Sequence, residues 1–103
     1  MAKLLVLYNT PGDADAFDTY YRETHRPLAA RLPGLRALTV SEGPIGTPRG
    51  VSPYHLIAEL TFESLAALEA ALVSPEGIAT ARDLRHFAGA GVTILTYDTA
   101  EAG

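Results

Sequence analysis

The run Tyr54-His55-Leu56-Ile57-Ala58-Glu59-Leu60-Thr61-Phe62 decides the fold. Its alternation puts Leu56, Ala58, Leu60 and Phe62 on one face and His55, Ile57, Glu59 and Thr61 on the other, the period of a strand with one side packed. Before it, Gly43 to Gly50 (GPIGTPRG) reads as a loop, and Leu35 to Glu42 (LRALTVSE) as a further strand. After it, Ser64 to Leu72 opens a helix with Leu65, Leu68 and Leu72 in line, which Ser74-Pro75-Glu76-Gly77 interrupts. Ile78, Ala81, Leu84 or Arg85, and Ala88 resume helical spacing as far as Gly89-Ala90-Gly91, and Val92 to Tyr97 (VTILTY) supplies a last strand.

The chain's first third adds one strand and one helix. Leu4-Leu5-Val6-Leu7-Tyr8 is a short β-prone run closed by the turn residues Asn9-Thr10-Pro11-Gly12. Asp13 or Asp15 can cap a helix in which Phe17, Tyr21, Thr24, Leu28 and Leu32 recur at three- and four-residue steps, and Pro33-Gly34 stops it. Pro27 removes a helical donor and crowds the carbonyl of Glu23, which predicts a bent or loosened helix beside His25.

The order β-α-β-β-α-β predicts the α+β class: a ferredoxin-like βαββαβ protomer with a four-stranded antiparallel sheet and two helices on one face. Residues 1–98 form the expected domain and 99–103 a tail. Leu5, Leu7, Ile57 and Leu95 fall on the sheet face without helices, so a homodimer with its sheets face to face is expected.

Composition narrows the function classes. With 8 Lys/Arg against 12 Asp/Glu the formal charge is −4, and the basic residues are scattered singly, so no strip is available for a phosphate backbone and nucleic acid is not an expected partner. The absence of Cys excludes thiol nucleophiles, thiolate metal sites and disulfides. No basic, apolar leader opens the chain, so a cytoplasmic location with no membrane partner is expected. Neither a GxGxxG fingerprint before a helix, a P-loop, an HExxH nor a nucleophile elbow occurs, and no spacing brings the three histidines together, so no metal is expected.

The remaining chemistry rests on His25, His55, His86 and five tyrosines. His25 follows Tyr21 by four residues and borders the apolar stripe; it lines a ligand opening, or it is a half-buried histidine satisfied by backbone. Strand parity makes Tyr54 and His55 alternatives, since regular alternation brings Tyr54 towards His25 whereas a bulge brings His55. His86, near a helix C-terminus, reads as solvated. Tyr8, Tyr21 and Tyr54 suit an apolar cavity for an aromatic or lactone-like molecule; Tyr20 and Tyr97 read as rim residues.

Tyr20 to Ala29 (YYRETHRPLA), with the following Leu32-Pro33-Gly34-Leu35, strongly resembles the EthD family of the dimeric α+β-barrel superfamily. Similarity extends over about residues 4–97, through the Tyr54–Phe62 strand and Leu68 to Phe87. The resemblance implies a dimeric α+β barrel, a ligand cavity between sheet and helices, and chemistry on small ether, aromatic or lactone compounds, often with no cofactor. The lack of Trp sets this chain apart from the superfamily's haem-degrading branch. On this basis His25 is the expected general acid/base, with Tyr21 or Tyr54 bonding a substrate oxygen. His55, Phe17, Leu28, Phe87 and Tyr8 are expected to line the site, with Gly43 to Pro53 as a mobile cover. The expected function is cofactor-independent proton transfer, isomerisation or cyclisation, on a small apolar molecule. Two alternatives stand beside it: cofactor-free oxidation by O₂, and non-catalytic sequestration of a hydrophobic metabolite.

Overall fold

The computed structural model describes residues 1–102. In chain order they form β1 (Ala2–Asn9), α1 (Ala14–Tyr20), a π-helical turn (Tyr21–His25), α2 (Arg26–Ala29), β2 (Ala37–Val40), β3 (Gly46–Thr47) and β4 (Gly50–Val51). There follow β5 (Tyr54–Phe62), α3 (Leu65–Val73), α4 (Pro75–Asp83), a 3₁₀ turn (Leu84–His86) and β6 (Val92–Asp98). The main sheet has the order β2-β5-β1-β6 and every pairing is antiparallel.

This is the expected ferredoxin-like protomer, with one correction. The sheet is open, with β2 and β6 as its two free edges, so the chain does not form the barrel expected from the family resemblance. Four strands spaced about 4.8 Å apart turn through too little arc for their edges to meet. A smaller difference lies in the Gly/Pro-rich loop, where β3 and β4 pair as a miniature hairpin.

One sheet face carries the core. Ala2, Leu4, Val6 and Tyr8 of β1 stand beside Phe62, Leu60, Ala58 and Leu56 of β5, and the helices cover them. The apolar period of two thus meets the helical stripe as expected, but the stripe itself differs. Its buried members are Phe17, Tyr21, His25, Ala29 and Leu32, whereas Thr24 is exposed and Leu28 only half-buried. Pro27 supplies the reason: without an N–H it cannot bond the Glu23 carbonyl, and the helix widens by one residue, the Arg26 N–H reaching back to the Tyr21 carbonyl. After that extra residue the inward face advances from Thr24 and Leu28 to His25 and Ala29.

The second helical pair is set by Ser74 and Gly77. Ser74 Oγ donates to the Ala71 carbonyl at the end of α3 and accepts the Gly77 N–H at the start of α4, so one side chain serves two helix ends. A Cβ on Gly77 would stand 2.1 Å from the Ala71 carbonyl oxygen, so only glycine lets the helices approach this closely. The resulting rotation of α4 leaves Ile78 and Ala81 exposed, against the expected stripe, and buries Asp83.

Candidate functional site

The inward rotations of the π turn and of α4 bring His25 and Asp83 together. Both are buried, at 4% and 8% exposure, and His25 Nδ1 lies 2.9 Å from Asp83 Oδ2. The other carboxylate oxygen, Oδ1, accepts the Tyr20 hydroxyl at 2.6 Å. Burial alone would raise the pKa of Asp83, but the bonds from Tyr20 and His25 outweigh it and hold the carboxyl below its usual range. Burial lowers the His25 value, and the opposing pull of Asp83 is not enough to restore it.

These directions define the proton positions. An ionised Asp83 only accepts, so the imidazole carries its hydrogen on Nδ1; being neutral, it leaves Nε2 bare. Nε2 has no partner among the described residues, nor do the hydroxyls of Tyr8 and Tyr21, yet no fully enclosed side-chain polar atom is left unsatisfied. All three atoms therefore touch free space. Burial pushes the Tyr21 phenol up to about 12 and the Tyr8 phenol higher still, which keeps both protonated as hydrogen-bond donors.

Two spaces meet at Tyr21. The inner one, about 80 Å³, lies between sheet and helices and is bordered by Tyr8, Tyr21, His25, Leu60, Leu84 and Ile94. Leu72 and Ile94, 37% and 48% exposed, lie on this cavity as well as on the surface, so its mouth is the gap between the α3–α4 pair and edge strand β6. Since a cavity of about 150 Å³ accommodates benzene, a ring enters only when this mouth or Tyr21 shifts. The outer space is a cleft of about 720 Å³ bordered by Asp18, Tyr21, Arg22, Arg26, Tyr54 and His55, with Gly43–Ile45 and Val51–Ser52 as its loop wall.

The expected site residues divide between these spaces. His25, Tyr21 and Tyr8 border the inner cavity; Tyr54 and His55 border the outer cleft and do not reach His25. A β-bulge skips His55, so that Tyr8 pairs with Leu56 and Asn9 with Tyr54. His55 thereby turns onto α1, its ring edge-on to Phe17 at 5.1 Å and its Nε2 2.6 Å from Asp18. Phe17 and Phe87 fill the partition, with the Phe87 ring 4.6 Å from that of His25. Leu28 borders a separate shallow depression with Arg82 and Arg85. Asp83 and the Tyr20 hydroxyl bond are the elements that sequence reasoning missed: an aspartate in an exposed-looking Ala-Arg-Asp run carries no local sign of burial, and Tyr20 reads as a rim residue. Among the described residues no three His, Asp or Glu side chains converge to hold a metal ion, and no helix is long and apolar enough to cross a membrane.

A ferredoxin-like α+β domain with a histidine–aspartate pair on an aromatic-walled cavity is the class that fold and site define. The chain belongs to the EthD family, whose domain model matches residues 9–91. It is 37% identical over 98 residues to an uncharacterized 11.0 kDa protein of the thcB–thcC intergenic region of Rhodococcus erythropolis, covering 95% of this chain and 94% of that one. The crystal structure of an ethyl tert-butyl ether d (EthD) family protein from Bacillus halodurans superposes with a TM-score of 0.89 at 36% identity, over 97% of this chain and 99% of that one. A dimeric ferredoxin-like protein from Jannaschia shares the fold at a TM-score of 0.68 and 22% identity, over 95% and 98% of the two chains.

The buried imidazole makes stability pH-dependent in a stated direction. Because the folded value of His25 lies below the ordinary 6.5, the unfolded chain binds the extra proton first, and stability falls as pH drops below about 6.5. The urea midpoint of the wild type is expected to decline between about pH 7 and pH 5 more steeply than that of His25→Gln, which shares the other two histidines. A wild-type midpoint that rises on acidification contradicts the assignment.

Proposed function

We propose that the chain is a cofactor-independent enzyme that moves a proton on a small, mostly apolar cyclic compound. The observation that carries this reading is the buried His25–Asp83 pair with Nε2 bare towards the cavity. Nε2 takes a proton from a carbon next to a carbonyl, and the electron pair moves onto the carbonyl oxygen. The Tyr8 or Tyr21 hydroxyl bonds that oxygen, and Asp83 stabilises the imidazolium formed. Return of the proton at a different carbon completes an isomerisation. Asp83 acts here as a positioning residue, fixing the tautomer that exposes Nε2. Tyr54, on the far side of Tyr21, has no part in this step.

A panel of small cyclic enones and lactones incubated in D₂O tests the reading by deuterium gain at carbon. Wild type is expected to exchange or shift a carbon-bound proton, with His25→Gln losing about 10²–10⁴-fold and Asp83→Asn losing rate while retaining KM. Equal turnover by His25→Gln overturns the role of His25. Oxygen consumed in step with product replaces proton transfer by oxidation, and tight binding with unchanged compound replaces catalysis by sequestration.

We infer as well that a second copy of the chain covers the open sheet face. Leu5, Leu7 and Ile57 are half-buried there beside Leu95 and Tyr97, which are 48% and 39% exposed. A lone ion pair, Lys3 Nζ to Glu59 Oε1 at 3.0 Å, sits among them. An apolar face of this kind suits an isologous contact, and the Jannaschia relative is described as dimeric. Sedimentation is expected to give twice the chain mass for wild type and the single mass for Leu95→Glu; a wild type that stays single at micromolar concentration refutes this.

A further inference from the structure

The outer cleft has a chemistry of its own. Arg22 and Arg26 are one helical step apart, at i and i+4, and both border it. Arg22 has one long, exposed contact, 3.9 Å to Glu23, and no carboxylate lies within ion-pair distance of Arg26 among the described residues. Of the two acidic residues on the cleft, Asp18 is engaged by His55 at 2.6 Å, and Glu42 stands exposed at the loop side. The Ser41 hydroxyl oxygen accepts the Ile57 N–H, leaving its hydrogen to donate, and the Tyr54 hydroxyl has no acceptor among the described residues. Arg26 also sits near enough to Tyr21 to pull the phenol's pKa down against the larger rise from burial.

We propose that this cleft is a binding site for a small organic carboxylate, whose oxygens Arg22 and Arg26 take while its apolar remainder lies against Tyr54, Leu56 and Val40. The cleft offers donors in excess of free acceptors, and two guanidiniums a turn apart repel each other until an anion stands between them. Its volume, about 720 Å³, holds a ring with one carboxylate, which the 80 Å³ inner cavity does not. The ligand class is therefore an aromatic or alicyclic acid, as opposed to a neutral hydrocarbon or ether. This binding does not rest on proton transfer at His25.

Benzoate and its neutral isostere benzamide are the probes, titrated against ¹⁵N-labelled full-length protein. Benzoate is expected to bind at least about fivefold more tightly than benzamide, to weaken as salt is raised, and to shift the signals of Arg26, Ser41 and Tyr54. Arg26→Gln and Arg22→Gln, both at exposed positions with unchanged urea midpoints, are expected to remove most of that preference, and Glu42→Gln to increase it. His25→Gln is expected to bind benzoate as wild type does, which separates this site from the fate of the catalytic reading. Equal binding of the two probes overturns the proposal, as does a benzoate preference that survives both arginine substitutions or one that disappears in His25→Gln.

Discussion

The hydrogen bond between His25 Nδ1 and Asp83 Oδ2 joins the first helical segment to the last, across residues 58 apart in sequence, and much of the protomer is arranged so that it can form. On one side the helix must widen at Tyr21–His25, or His25 stays at the edge of the stripe and Thr24 turns inward. On the other, α4 must lie against the end of α3 closely enough to bury a carboxylate, an approach only Gly77 permits. A buried aspartate without partners would be costly. Here Tyr20 and His25 supply the donors, and the same bonds select the imidazole tautomer. Stability and chemistry thus share one contact.

The aromatic partition follows from that contact. Tyr8, Phe17, Tyr21 and Phe87 pack edge to face or tilted, apart from the parallel Phe17–Tyr21 pair, with ring centres between 5.2 and 6.2 Å apart, geometries that aromatic rings favour. They divide the space under the helices into a small apolar chamber holding His25 and a broad cleft holding His55, Arg22 and Arg26. Tyr21 belongs to both walls. A shift of this one ring would join the two spaces.

The strands and their inward faces were legible because burial on one face imposes a period of two. Leu56, Ala58, Leu60 and Phe62 can pack only together, and β1 follows with Leu4, Val6 and Tyr8. The helical faces were less legible because a single proline and a single glycine changed their phase. Pro27 announced a disturbance beside His25 without showing that it would be a π turn; Gly77 read as a helix interruption when it was a close contact. His25 and Tyr21 were singled out by type, spacing and the resemblance to the EthD family, whereas Asp83 was missed because its burial comes from α4's rotation, a long-range effect. Parity left Tyr54 and His55 as alternatives for one site, and the β-bulge placed both in the other space. The barrel came from family resemblance, and the open β2 and β6 edges of the described chain correct it.

Burial keeps His25 neutral, and Asp83 holds its one ring hydrogen on Nδ1, leaving Nε2 free. Long-range ¹H–¹⁵N correlation of the imidazole rings reports this directly, since protonated and bare ring nitrogens differ widely in shift. A bare Nε2 and a protonated Nδ1 are expected for His25 at neutral pH, a pattern that persists below the ordinary histidine value of 6.5 and collapses in Asp83→Asn. An imidazolium at neutral pH, or the opposite tautomer with its hydrogen on Nε2, would contradict it.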